Sequence, residues 1–233
     1  MFSVYARERL NDMAFNHVVR SWLFGFVIAG KIPELKDRDL EVHSISAILH
    51  DLGWDTTGEL VSKDKRFEVD GANAARDFLK SEAVGDTWDS RRLQLVWDAI
   101  ALHTTPSIAS YKEPEVVATS NGISSDFGGP KGPFGRFLTE EEYQKIVDEL
   151  PRLGLKEGVR EIMCGLCRDK PETTVSVLDC PCFLLFRCRI WLCGVDFHQQ
   201  YDNFVGQYGE RFVDGYSLAG HQTIDMLENL TLP

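Results

Sequence analysis

The stretch Val42-His43-Ser44-Ile45-Ser46-Ala47-Ile48-Leu49-His50-Asp51-Leu52-Gly53-Trp54 constrains this chain more than any other. Its apolar residues Val42, Ile45, Ile48, Leu49 and Leu52 recur at steps of three and four, the period of a helix with one buried face. The pattern predicts a helix over Asp39 to Leu52, with Asp39 as its cap and His50 and Asp51 in its last turn before Gly53 releases the chain. An imidazole beside a carboxylate at a buried helix end is costly in isolation, and a divalent cation removes that cost. The remaining ligands must come from elsewhere in the chain.

A chain of 233 residues, 43% of them hydrophobic, can fill one core, so a single domain over 1–233 is expected. The net charge of -11, from 25 basic against 36 acidic side chains, argues against a nucleic-acid partner, which clustered cations would have to hold. Met1 to Met13 carries Arg7, Glu8, Arg9 and Asp12, which excludes a signal-peptide run there, and no apolar run reaches the length of a bilayer span. A cytoplasmic protein acting on a small-molecule substrate, without nucleic acid or membrane as partner, is the expectation. Oligomeric state has no signature.

Helical periodicity continues on both sides of the organising stretch. Val4 to Ala29 reads as one helix with Leu10, Met13, Val18, Leu23 and Val27 on a face and His17 well inside it. Asp55 to Arg66 reads as a polar loop, Asp70 to Leu79 as a helix rich in small residues, and Ser90 to His103 as a helix stopped by Pro106. Pro114 to Phe127 follows as a helix, Gly128 to Gly135 as an irregular loop, Thr139 to Leu150 as a helix opened by a capping box, and Lys156 to Arg168 as another helix. No strand-like alternation is sustained, so the fold class is all-α, a helical bundle with a central metal site.

Residues 175–200 break this pattern. They hold Cys180, Cys182, Cys188 and Cys193, four of the six cysteines, within an apolar run that includes Phe183-Leu184-Leu185-Phe186. The cysteine spacing is wrong for a typical zinc knuckle, and disulfides do not suit a reducing cytoplasm. A retained intron translated in frame fits the composition, with an inserted hydrophobic hairpin as the alternative; sequencing the spliced transcript separates the two. Exposed apolar surface of this kind would promote aggregation in either case.

The candidate metal ligands are His17, His50, Asp51 and Asp126, two imidazoles and two carboxylates on helices, a set suited to one zinc or iron ion, or to manganese. Asp126 enters because it lies near the end of a helix whose packing face is Val116, Val117, Ala118 and Ile123. Each alone has an ordinary alternative: a packed or surface histidine for His17, a solvated helix end for Asp51. His43, seven residues before His50, falls on nearly the same face and reads equally well as a core histidine.

The order His17, His50-Asp51, Asp126 resembles the HD-domain metal-dependent hydrolase superfamily. The phrases Asn16-His17-Val18-Val19-Arg20-Ser21-Trp22-Leu23-Phe24-Gly25, Phe67-Glu68-Val69-Asp70-Gly71-Ala72 and Trp97-Asp98-Ala99-Ile100-Ala101-Leu102-His103 resemble its fungal, cyanamide-hydratase-like branch. The resemblance runs over about residues 10–174 and resumes at 201–220. It implies a helical core with one metal on His17, His50, Asp51 and Asp126, and addition of water to the nitrile carbon of cyanamide to give urea. It also implies that relatives often carry a further amino-terminal segment, so an incomplete gene model at that end is one expectation. Trp54 stands where several phosphate-ester members have lysine, and Asp70 takes the approximate place of a histidine that two-iron members need, which favours a single metal.

The catalytic residues expected are His103, as supplier or relay of the proton that the nitrile nitrogen must gain, with Glu68 and Asp70 as alternative proton carriers or acceptors for a substrate amine. Arg20 is expected to pair with a carboxylate and hold helices together. A phosphohydrolase for a nucleotide or other phosphate ester is the alternative activity, and a non-enzymatic helical binding protein the third reading.

Overall fold

The computed structural model describes residues 1–82, 88–174 and 204–217; the segment 175–200 lies outside them. The described residues are all-α, with ten helices and no strand among them. They divide into two compact units, Met1–Val159 and Arg160–Pro233.

The first unit begins with α1 (Phe2–Arg9) and α2 (Asp12–Lys31), where one continuous helix was expected. The break follows from Asn11: Leu10 is extended, and the Asn11 side chain accepts from the Ala14 N–H at 2.9 Å, capping a new helix instead of continuing the old one. The organising helix α3 (Leu40–Leu49) is shorter than its periodicity suggested, and its cap is Asp39, which accepts from the amides of Glu41 and Val42. His50 then lies at the C-cap and Asp51 in the turn beyond, ahead of a short 3-10 segment, Leu52–Trp54.

Helix α4 (Phe67–Glu82) starts earlier than predicted, so Glu68 and Asp70 fall in its first turn. α5 (Ser90–Ala101) is capped by Asp89, and α6 (Pro106–Ala109) and α7 (Pro114–Gly128) both start on proline. The stretch after α7 holds two short 3-10 turns, Gly129–Lys131 and Gly135–Phe137. The expected capping box forms in full between Thr139 and Glu142 at the start of α8 (Glu140–Glu149). α9 (Leu155–Asp169) follows.

Two close approaches place the site. α2 and α7 touch backbone to backbone: a Cβ built on Gly122 would lie 2.2 Å from the Ser21 carbonyl oxygen, and one on Gly25 would lie 2.7 Å from that of Ala118. One turn from Ser21 toward the N-terminus of α2 is His17, and one turn from Gly122 toward the C-terminus of α7 is Asp126, so the crossing brings these two side chains face to face. The other approach seats α4 on the turn after α3, where a Cβ on Gly53 would meet the Phe67 carbonyl oxygen at 2.0 Å and one on Gly71 the His50 carbonyl oxygen at 3.0 Å. The small residues read from the sequence in α4 serve this contact. Gly122→Ala is expected to force α2 and α7 apart and cost roughly 1–3 kcal/mol or more, as overpacked cores do; thermal unfolding measures it.

In the second unit the C-terminal part of α9 and α10 (Phe204–Phe212) are described. Cys167 donates its thiol to the Val205 carbonyl at 3.2 Å, and burial pushes that thiol up. Cys164 and Cys167 are free thiols, and Thr174 and Tyr216 share a hydroxyl hydrogen bond of 2.6 Å.

Candidate metal centre

His17 in the middle of α2, and His50 and Asp51 just beyond α3, offer one atom each within 4.8 Å of one another, all three buried. The Nε2 atoms of the two histidines are 3.3 Å apart, and the Asp51 Oδ2 lies 3.1 Å from His50 Nε2 and 3.4 Å from His17 Nε2. His103, immediately after α5, brings its Nε2 to 3.7 Å from the other Asp51 oxygen, Oδ1.

The outer ring nitrogens decide which face of each imidazole looks inward. His50 Nδ1 meets the Ala47 carbonyl at 2.8 Å and His103 Nδ1 the Ile100 carbonyl at 2.6 Å; a carbonyl only accepts, so both Nδ1 atoms carry the hydrogen. His17 Nδ1 faces the Asp126 carboxylate at 2.6 Å and donates to it. Three Nε2 lone pairs are therefore turned toward Asp51, whose two oxygens are buried and have no hydrogen-bond partner among the described residues. Lone pairs facing an anion, with no proton between them, are repulsive in a dry site. A divalent cation among His17 Nε2, His50 Nε2 and Asp51 turns that repulsion into coordination, so the donor set fits one.

The four other expected site residues fall at different distances from this point. Asp126 reaches the site through the opposite nitrogen of His17 and is not among the three clustered ligands; its carboxylate is bound by Arg20, with Nε on Oδ1 at 2.7 Å and Nη2 on Oδ2 at 2.8 Å. Burial pushes the Asp126 carboxyl up, but His17 and Arg20 hold it down at about 2. Arg20 pairs with a carboxylate, as its place one turn after His17 suggested.

His103 is beside the centre, and its pKa is lowered to about 4 by burial and by the neighbouring His50, so near neutral pH it is a proton acceptor before it can be a donor. Glu68 is buried and accepts from Arg66 Nη2 at 2.7 Å and from the Thr104 hydroxyl at 2.5 Å. Burial raises its carboxyl, while Arg66, His103 and Thr104 more than offset this and keep it ionised. It thus rests as an acceptor beside His103. Asp70 turns one carboxylate oxygen to the loop before α4, accepting from the Ser62 N–H at 3.0 Å.

Aromatic rings enclose the imidazoles. Trp54 stacks on His17 with centroids 5.9 Å apart, Phe127 lies 4.9 Å from the same ring, and Phe67 meets His103 edge-on at 5.6 Å. These rings were not picked from the sequence as site residues, although Phe127 adjoins Asp126 and Trp54 follows Asp51 by three residues. The indole N–H of Trp54 is buried without an acceptor among the described residues.

A comparison with curated proteins finds no match. A family model described as the HD domain matches residues 14–150, more than half of the chain. The match includes His17, His50, Asp51, His103 and Asp126 and lies within the unit Met1–Val159. The chain belongs to the HD domain family, whose members are in general metal-dependent hydrolases.

Proposed function

We propose that this protein is a single-metal hydratase that adds water to a small, uncharged nitrile-like substrate, with cyanamide to urea as the first reaction to test. The observation that carries the choice of substrate is the state of the two arginines beside the centre: Arg20 is committed to Asp126 and Arg66 to Glu68. A phosphate ester would need such cations for its own charge. A small neutral molecule does not, and Trp54, Phe67 and Phe127 supply aromatic faces beside the imidazoles for it.

A divalent ion on His17, His50 and Asp51 would supply a Lewis acid and water of lowered pKa. The chain's residues then divide the proton work. His103, unprotonated near neutral pH with Nδ1 fixed on the Ile100 carbonyl, presents Nε2 to accept a proton as the water oxygen bonds to the nitrile carbon. The C≡N π pair moves to nitrogen, which takes that proton back from His103, and the hydroxylated adduct tautomerises to the amide. The Glu68 carboxylate is an acceptor for the amino group of the substrate, and the Trp54 N–H is a donor toward its nitrogen.

One observation favours a second reading. The Arg66 side chain is a third exposed, so a phosphate could draw it from Glu68, which would make the protein an HD phosphohydrolase. Protein loaded with zinc, iron(II) or manganese(II), assayed for urea from cyanamide and for phosphate from nucleoside monophosphates, separates the two. Urea release supports the hydratase; phosphate release alone overturns it; binding of no metal at all points to a helical binding protein. His103→Ala is expected to keep its metal and lose about 10²- to 10⁴-fold in turnover, the usual contribution of a proton-transfer residue. Metal content and rate measured on the same sample check this.

A further inference from the structure

Resting on the metal reading above, we infer that Phe127 is a specificity-determining residue of this centre: its ring is a movable cover over His17 and limits the substrate to small, slender molecules. Phe127 directly follows Asp126 on α7, about 100° further round the helix. Asp126 turns into the core and meets His17 Nδ1 at 2.6 Å, while the Phe127 ring centroid lies 4.9 Å from that of His17. Exposure sets the two apart. Trp54, Phe67, Glu68, His103 and Asp126 are each 8% exposed or less, whereas Phe127 is 52% exposed. Of His50, Trp54 and Phe127, the described rings in contact with His17, only the last lies mainly in water.

What it costs to move each neighbour decides where a molecule enters. Arg66 is the other partly exposed side chain near the centre, but its guanidinium holds the buried Glu68 carboxylate at 2.7 Å. Withdrawing it, with no anion to take its place, leaves a buried charge uncompensated, a large loss. The Phe127 side chain has no polar atom, and swinging away from His17 forfeits one ring contact. Exposed side chains change rotamer within picoseconds to nanoseconds. Phe127 is therefore the least costly neighbour to displace, and an entering molecule must fit the gap its ring vacates. A linear molecule of a few atoms, such as cyanamide, meets that limit; an aryl-substituted nitrile does not.

Two measurements on the full chain test this, one without metal and one with it. In excess chelator, diethyl pyrocarbonate acylates unprotonated imidazole nitrogens, and His17 presents Nε2 because its Nδ1 hydrogen is held by Asp126. Peptide mass spectrometry follows each histidine separately. Phe127→Ala is expected to speed modification of His17 about 10-fold or more, the scale on which bulk in an apolar contact discriminates. Phe127→Trp is expected to slow it, and His43, fully buried on α3, to stay unmodified in both variants. In the cobalt(II)-loaded protein, binding of 1-methylimidazole and 1-benzylimidazole is followed through the cobalt absorption bands. Wild type is expected to admit the benzyl compound more slowly, and Phe127→Ala to narrow the difference about 10-fold.

Unchanged modification of His17 in both variants overturns the inference, as does a wild type that binds both imidazoles at the same rate. Faster modification of His17 and His43 together in Phe127→Ala, without slowing in Phe127→Trp, marks a loosened fold and overturns it too. If Phe127→Ala does not fold, the Phe127→Trp rate and the wild-type ratio of the two imidazoles decide. Gating without any urea from cyanamide refutes the hydratase reading alone; a wild type that binds no cobalt overturns the metal reading and this inference together.

Discussion

Asp51→Asn is expected to abolish metal binding and turnover, and at the same time to make the metal-free protein more stable than wild type. The two effects have one cause. In the metal-free protein the Asp51 oxygens are buried without a hydrogen-bond donor among the described residues, facing Nε2 atoms whose hydrogens sit on the far side of each ring. An asparagine amide can donate to one of those lone pairs, and relief of an unsatisfied buried polar group is worth about 1–3 kcal/mol. With metal present the order reverses. A ligand at 100 times its Kd stabilises the folded state by about 2.7 kcal/mol, and wild type alone receives that gain. Thermal unfolding with excess chelator should therefore place the variant above wild type, and with excess zinc below it. A chelated variant that melts below wild type would show that Asp51 has donors around it without any cation, and the lone-pair argument for the site would fall.

What the sequence revealed of this site and what it hid follow from the range of the interactions involved. The all-α class, the Asp39 cap, the Thr139 capping box and the adjacent His50 and Asp51 all rest on rules that act over three or four residues, and each is legible in one turn of chain. The break at Leu10 and Asn11 was local too, yet the apolar period across it reads as continuous and masks the cap. The choice of Asp126 as the partner of Arg20 was out of reach, because that bond spans 106 residues and depends on how closely α2 and α7 cross. Asp70 was chosen by its place in the chain, whereas its contact with Ser62 depends on how the loop before α4 folds back. His103 was found, but its standing as an acceptor is set by the Ile100 carbonyl and by burial, neither of which is written in its spacing.

His43→Gln is expected to flatten the loss of stability that the metal-free protein suffers on mild acidification. His43 is fully buried on α3; its Nδ1 accepts from Arg38 Nε at 3.0 Å, so the hydrogen is on Nε2. Burial, and then the neighbouring Arg38 guanidinium, lower its pKa from 6.5 to about 3. The sign follows directly. Below pH 6.5 the unfolded chain takes up a proton that the folded chain refuses until about pH 3, so stability is complete above the unfolded pKa and falls throughout that interval. The slope for one such group approaches about 1.4 kcal/mol per pH unit, large against a typical folding free energy of about 5–15 kcal/mol. His103, lowered to about 4, adds a second slope of the same sign over most of the range. Asp126, held at about 2 in the folded protein, contributes only as pH falls below the ordinary carboxylate value of 3.8. Glutamine at position 43 keeps an oxygen for Arg38 and cannot titrate, so urea unfolding of the chelated protein between pH 7 and 4.5 should lose about half of its pH slope in the variant. An unchanged slope would mean that the α2, α3 and α7 core opens enough to protonate His43 while still folded, and the tight glycine crossing of those helices would not be the barrier to protons that its geometry implies.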